Sequence, residues 1–124
     1  MVALSQFVWT FPGGKPLDNF ETLGAVSEKV WTVPPGKLWL IYGGHAERDA
    51  SATFQVILYT SADKIIMKFH YVSAGTSAVE WPSGTTFPFH GPWPAKAGDK
   101  LKYEWGAAQT TPEISLLILE IDAP

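Results

Sequence analysis

Apolar and polar residues alternate with a period of two along most of this chain. In residues 53–60, Phe54, Val56 and Leu58 fall on one side, and in residues 100–105, Leu101, Tyr103 and Trp105 alternate with Lys100, Lys102 and Glu104. A period of two is the signature of a strand with one buried face. Residues 25–33 alternate too, with Val26, Glu28 and Val30 on one side and Trp31 and Val33 on the other, which predicts a strand with an irregularity near Lys29. Residues 65–71 place Ile65, Met67, Phe69 and Tyr71 on one face, with Lys68 and His70 opposite. Residues 37–42 are apolar on both faces, as in a central strand covered on both sides, and Gly43-Gly44 predicts a break or bulge there. Shorter candidates lie at residues 6–11, 78–81, 85–89 and 114–121.

Helical periodicity does not persist over any useful length. About eight short strands at regular spacing predict an all-β fold, an antiparallel β-sandwich or barrel. Two glycine turns each launch an aromatic strand. Val33-Pro34-Pro35-Gly36-Lys37 runs into Leu38-Trp39-Leu40-Ile41-Tyr42, and Ala97-Gly98-Asp99-Lys100 runs into Leu101-Lys102-Tyr103-Glu104-Trp105. Ser61-Ala62-Asp63-Lys64 reads as a hairpin between the strands on either side. Residues 1–24 are less regular and are either an arm that orders on a partner or a first strand plus a loop. Residues 25–124 form the sandwich domain. As an arm, residues 1–24 would offer Phe7, Trp9, Phe11, Leu17 and Phe20 as interface anchors.

Composition narrows the function. At 124 residues with 46% hydrophobic content, the chain is long enough for one domain with its own core. It has no cysteine, so disulfides and thiolate metal sites are excluded. A net charge of −3 argues against general nucleic-acid binding, which needs a basic face. The first residues lack the basic and long apolar regions of a signal peptide, and Leu116-Leu117-Ile118-Leu119 is too short to span a membrane. The expectation is a soluble protein made in a cytoplasm, with no nucleic-acid or membrane partner.

Candidate chemistry is sparse. His45, Glu47 and Asp49 are spaced by two and would point one way on an extended strand, offering three metal ligands. The segment they lead into, Asp49-Ala50-Ser51-Ala52, reads instead as a solvated loop. His70 and His90 lie in or beside strands, and a metal enzyme built on His45, His70 or His90 is the weakest reading. No Gly-x-Ser-x-Gly elbow is present. Gly13-Gly14-Lys15 is followed by Pro16 where a phosphate loop needs Ser or Thr, so it reads as a turn. No catalytic residue, cofactor or metal is expected. Trp39 and Trp105 belong to the core by pattern. Trp81 and Trp93, in Trp81-Pro82-Ser83-Gly84 and Gly91-Pro92-Trp93-Pro94, either cap the core, anchor a protein interface or stack on a sugar.

The order Val30-Trp31-Thr32-Val33-Pro34-Pro35-Gly36-Lys37-Leu38-Trp39, Asp49-Ala50-Ser51-Ala52-Thr53, Gly91-Pro92-Trp93-Pro94 and Ala97-Gly98-Asp99-Lys100-Leu101 resembles small jelly-roll structural proteins of tailed bacteriophages. The likeness covers residues 31–121 and rests on turn chemistry. It implies a jelly-roll-like sandwich and a non-enzymatic virion protein of the capsid cement (decoration) type. Such a protein would bind the major capsid protein on the shell surface after assembly in a host cytoplasm, as a homo-oligomeric trimer or dimer. The alternative is a carbohydrate-binding module or the receptor-binding head of a tail protein, with a glycan on Trp81 and Trp93.

Overall fold

The computed structural model describes residues 15–17, 20–82 and 92–124. Ten strand segments are present among them: β1 (Lys15–Pro16), β2 (Glu21–Thr22), β3 (Val26–Thr32), β4 (Lys37–Ala46), β5 (Ala52–Tyr59), β6 (Ile65–Gly75), β7 (Val79–Trp81), β8 (Trp93–Lys96), β9 (Lys100–Gln109) and β10 (Glu113–Asp122). They form two antiparallel sheets. In the first, β10 and β4 are central; β1 and β2 run along the free side of β10, and β7 and β8 along the free side of β4. In the second the order is β3-β9-β5-β6. With β1/β2 and β7/β8 each counted as one interrupted lane, eight lanes remain. Numbered along the chain they are ordered 1-8-3-6 in one sheet and 2-7-4-5 in the other. That order is two interlocked Greek keys, a jelly-roll-like sandwich.

The alternation seen in the sequence has its cause in this layering. Phe54, Val56 and Leu58 of β5 and Leu101, Tyr103 and Trp105 of β9 face the first sheet, where Trp39, Ile41, Ile114, Leu116 and Ile118 meet them. Trp39, Trp105 and Trp31 are all buried, as the pattern requires. The rings pack edge to face around Tyr103, with centroids 4.8 Å from Trp31 and 5.2 Å from Phe54, the favoured aromatic geometry. β4 is central and has apolar residues on both sides. Leu40 and its register partner Leu119 face away from the core, and Leu119 is nonetheless fully buried.

The two glycine turns are bonded to each other. Val33 N–H donates to the Asp99 carbonyl at 2.9 Å, and Gly98 N–H donates to the Val33 carbonyl at 3.0 Å. Gly36 and Gly98 have φ of 75° and 89°, which favours glycine at both turns. The buried Asp99 carboxylate accepts from Lys96 N–H at 3.1 Å, closing its own turn.

Two elements differ from the alternating pattern. The irregularity in β3 falls between Val26 and Glu28, close to where it was expected. In β6 the expected common face of Ile65, Met67, Phe69 and Tyr71 does not form. The β5–β6 ladder shifts register at Val56/Ile57 and at Leu58/Tyr59, and each added residue reverses the alternation. Phe69 and His70 are therefore both buried, whereas Ile65 and Tyr71 are 53% and 57% exposed. The part of residues 1–24 that is described belongs to the first sheet: Lys15 and Pro16 pair with Glu120 and Leu119, and Glu21 and Thr22 pair with Ile114 and Glu113.

Candidate functional site

The sandwich offers two surfaces with chemistry on them, a strand edge and a cleft. Sheet edges present unpaired backbone donors and acceptors, and stable proteins shorten, bend or charge them. Two edges here are interrupted lanes, β1/β2 and β7/β8, built of two- to four-residue pieces. The edge strand β3 is bulged and carries Glu28 and Lys29, with Lys29 paired to Glu21 at 3.2 Å. β6 is bulged too, with three register shifts against β5, but it is eleven residues long, no described strand lies beyond it, and Ile65 and Tyr71 project from it into solvent.

The cleft lies on the outer face of the first sheet, where cross-strand register aligns Ser115 of β10, His45 of β4 and Glu80 of β7 in one row. Its volume is about 300 Å³, and Tyr42, Pro82 and Leu117 complete its walls. Gly43 and Gly44 make the close approach possible. A Cβ on Gly43 would collide with the Trp81 carbonyl, and one on Gly44 with the Tyr103 hydroxyl and the Ser115 carbonyl. Gly44→Ala should therefore cost roughly 1–3 kcal/mol of stability, as overpacking does, and a urea titration checks it. An unchanged midpoint would mean that β10 and Tyr103 can retreat.

Trp81 and Trp93 both pack against Phe69. Trp81 is buried and stacks on Phe69 at 5.5 Å, and its indole N–H donates to Tyr103 Oη at 2.7 Å. Trp93 is half-buried and meets Phe69 edge to face at 5.9 Å. Both cap the core, and Trp81 turns no face to solvent. Leu17 packs on the core and its N–H donates to the Ile118 carbonyl at 2.9 Å, whereas Phe20 is 61% exposed. Phe7, Trp9, Phe11 and His90 lie outside the described residues.

His45, Glu47 and Asp49 do not converge, because the chain leaves the strand after Ala46. His45 enters the cleft, the Glu47 carboxylate accepts from Glu113 N–H at 3.0 Å, and Asp49 accepts from Thr110 and Thr111 N–H at 2.8 and 2.6 Å. The two backbone donors hold the Asp49 carboxyl below its ordinary range. No cluster of three metal-ligating side chains occurs among the described residues. The cleft was missed in the sequence because Ser115, His45 and Glu80 meet through pairing between distant strands, which no local spacing announces.

Burial holds the His70 imidazole below its ordinary value of 6.5. The unfolded chain takes up this proton at 6.5 and the folded chain only at lower pH, so the stabilisation is whole above 6.5 and drains away as pH falls toward the folded value. Urea midpoints measured above and below pH 6.5 should show this loss, and His70→Gln should flatten it. An equal slope in the variant would assign the loss to other groups.

No family model, curated protein or solved structure matches this chain.

Proposed function

We propose that this protein is a non-enzymatic structural subunit of a virus particle, a capsid cement (decoration) protein. It would bind the major capsid protein on the outer shell and bridge neighbouring capsomers as a homo-oligomer. The β6 edge, eleven residues long with Ile65 and Tyr71 exposed, is the observation that carries this reading. A strand from a shell subunit or a sister copy can add to that edge. Main-chain hydrogen bonds would then give affinity, and the two side chains would act as anchors. The jelly-roll-like lane order and the turn motifs that resemble phage structural proteins support the same reading, as does the absence of cysteine, which suits assembly in a reducing compartment. An interface of about 1,000 Å² or more per contact is the scale required.

Quantitative mass spectrometry of purified virus particles tests the proposal. Copy numbers near those of the major shell protein are expected, and absence from the particles would overturn it. Ile65→Lys combined with Tyr71→Lys should abolish particle association. Because both side chains are exposed, the fold should survive, which circular dichroism can verify. Full occupancy of the double variant would move the docking surface away from β6.

A further inference from the structure

The geometry points to a binding site for one sugar ring, a neutral pyranose unit, in the cleft on the outer face of the first sheet. This inference does not rest on the assembly reading, whose edge is in the other sheet. Three lanes contribute one polar side chain each at a single register level: Ser115, His45 and Glu80. Lanes are about 4.8 Å apart, so the row spans about 10 Å, enough to address both ends of a six-membered ring. The cleft holds about 300 Å³, room for one such ring and some water.

The donor and acceptor inventory selects the ligand class. A serine hydroxyl both donates and accepts, a neutral imidazole does one at each nitrogen, and a carboxylate accepts. Hydroxyl groups, which also do both, satisfy such a mixed row. Phosphate would meet the Glu80 carboxylate and be repelled. A divalent cation would find too few ligands, since no three-ligand cluster exists among the described residues. No hydrogen bond joins Ser115, His45 and Glu80 to one another, so their polar atoms remain open to a ligand and no serine–histidine relay is assembled. The other walls suit the C–H faces of a sugar: the Tyr42 side chain, Pro82 and Leu117. Burial raises the Tyr42 phenol above its ordinary value, keeping it a neutral wall.

The test is a ¹⁵N NMR titration of the full chain with four neutral probes: methyl glucoside, methyl galactoside, methyl mannoside and N-acetylglucosamine. Methylammonium and inorganic phosphate serve as charged controls. At least one neutral sugar should shift the amides of residues 42–45, 80 and 115. Glu80→Gln and His45→Gln should each weaken that sugar by about tenfold or more, as loss of a strong hydrogen bond does. Glu80 is exposed and His45 only half-buried, so neither variant threatens the fold; a matching spectrum outside the cleft confirms this. The assignment is overturned if no neutral sugar moves these residues, if the shifts survive in both variants, or if methylammonium or phosphate binds there in preference to every sugar.

Discussion

Tyr103→Phe should lower the unfolding free energy by roughly 2–4 kcal/mol, because it strands the buried Trp81 indole N–H and takes a donor from the part-buried Ser115 carbonyl at once. The phenol oxygen accepts from the Trp81 indole N–H at 2.7 Å and donates to the Ser115 carbonyl at 2.8 Å. Tyr103 is fully buried, and burial pushes its phenol far above the ordinary value, so the hydroxyl keeps its proton. Phenylalanine preserves the ring and its contacts with Trp31, Phe54 and Trp105. The substitution therefore isolates the hydroxyl, which ties β9 of one sheet to β7 and β10 of the other. Differential scanning calorimetry should show a melting temperature lower by on the order of 10 °C. A loss of less than about 1 kcal/mol would mean that both groups find new partners. The cycle with Trp81→Phe separates the two bonds: the double variant should cost clearly less than the sum of the singles, since they share one interaction.

Arg48→Ala should cost about 3 kcal/mol or more, since charge-assisted hydrogen bonds exceed neutral ones and several carbonyls lose a partner together. Arg48 is 8% exposed, and its guanidinium donates to three carbonyls: Ala52 at 2.7 Å, Ser73 at 2.8 Å and Ser77 at 2.8 Å. These lie at the start of β5, near the end of β6 and just before β7, so one planar fork holds three separate stretches of chain. Arg48→Lys retains the charge but not the fork, and should recover less than half of the loss. Urea midpoints report the energy. Hydrogen exchange reports the place, with faster exchange expected across residues 73–79. Uniform loss of protection across both sheets would show instead that the fork matters for global folding.

The sequence announced the sandwich because its two sheets share one core, and a shared core writes period-two alternation into every strand that borders it. β5 and β9 carry that pattern cleanly, and the doubly apolar 37–42 segment correctly marked a central lane. β6 could not be read this way. Its bulges against β5 are set by pairing, and each reverses the faces that follow. For His45, Glu47 and Asp49, equal spacing implies a common direction only while the chain stays extended, and the loop read from Asp49-Ala50-Ser51-Ala52 follows the end of β4 at Ala46. Trp81 ends the 78–81 strand candidate and stands next to Pro82, which leaves its direction open in the sequence; pairing of Trp81 with Gly44 carries its ring into the core. The β6 edge and the cleft both depend on which strand lies beside which, and neither is encoded in a short window.

The two kinds of turn at the sheet ends differ in how self-sufficient they are, and this decides where foreign sequence can be spliced in. The 47–52 connection is tied to the 107–113 turn. The buried Gln109 amide accepts from Asp49 and Ala50 N–H and donates to the Ala50 and Ala107 carbonyls, while Asp49 caps Thr110 and Thr111. An added peptide in either would unlatch the other. The hairpin at residues 60–64 closes on itself: Thr60 Oγ1 accepts from Ala62 and Lys64 N–H, and Thr60 N–H donates to the Lys64 carbonyl at 2.8 Å. Its side-chain tie to the rest of the molecule is the exposed Asp63–Lys100 pair. A guest epitope inserted after Ala62 would forfeit one surface turn and leave the sandwich intact, which makes that tip the natural mounting point for peptide display on this scaffold.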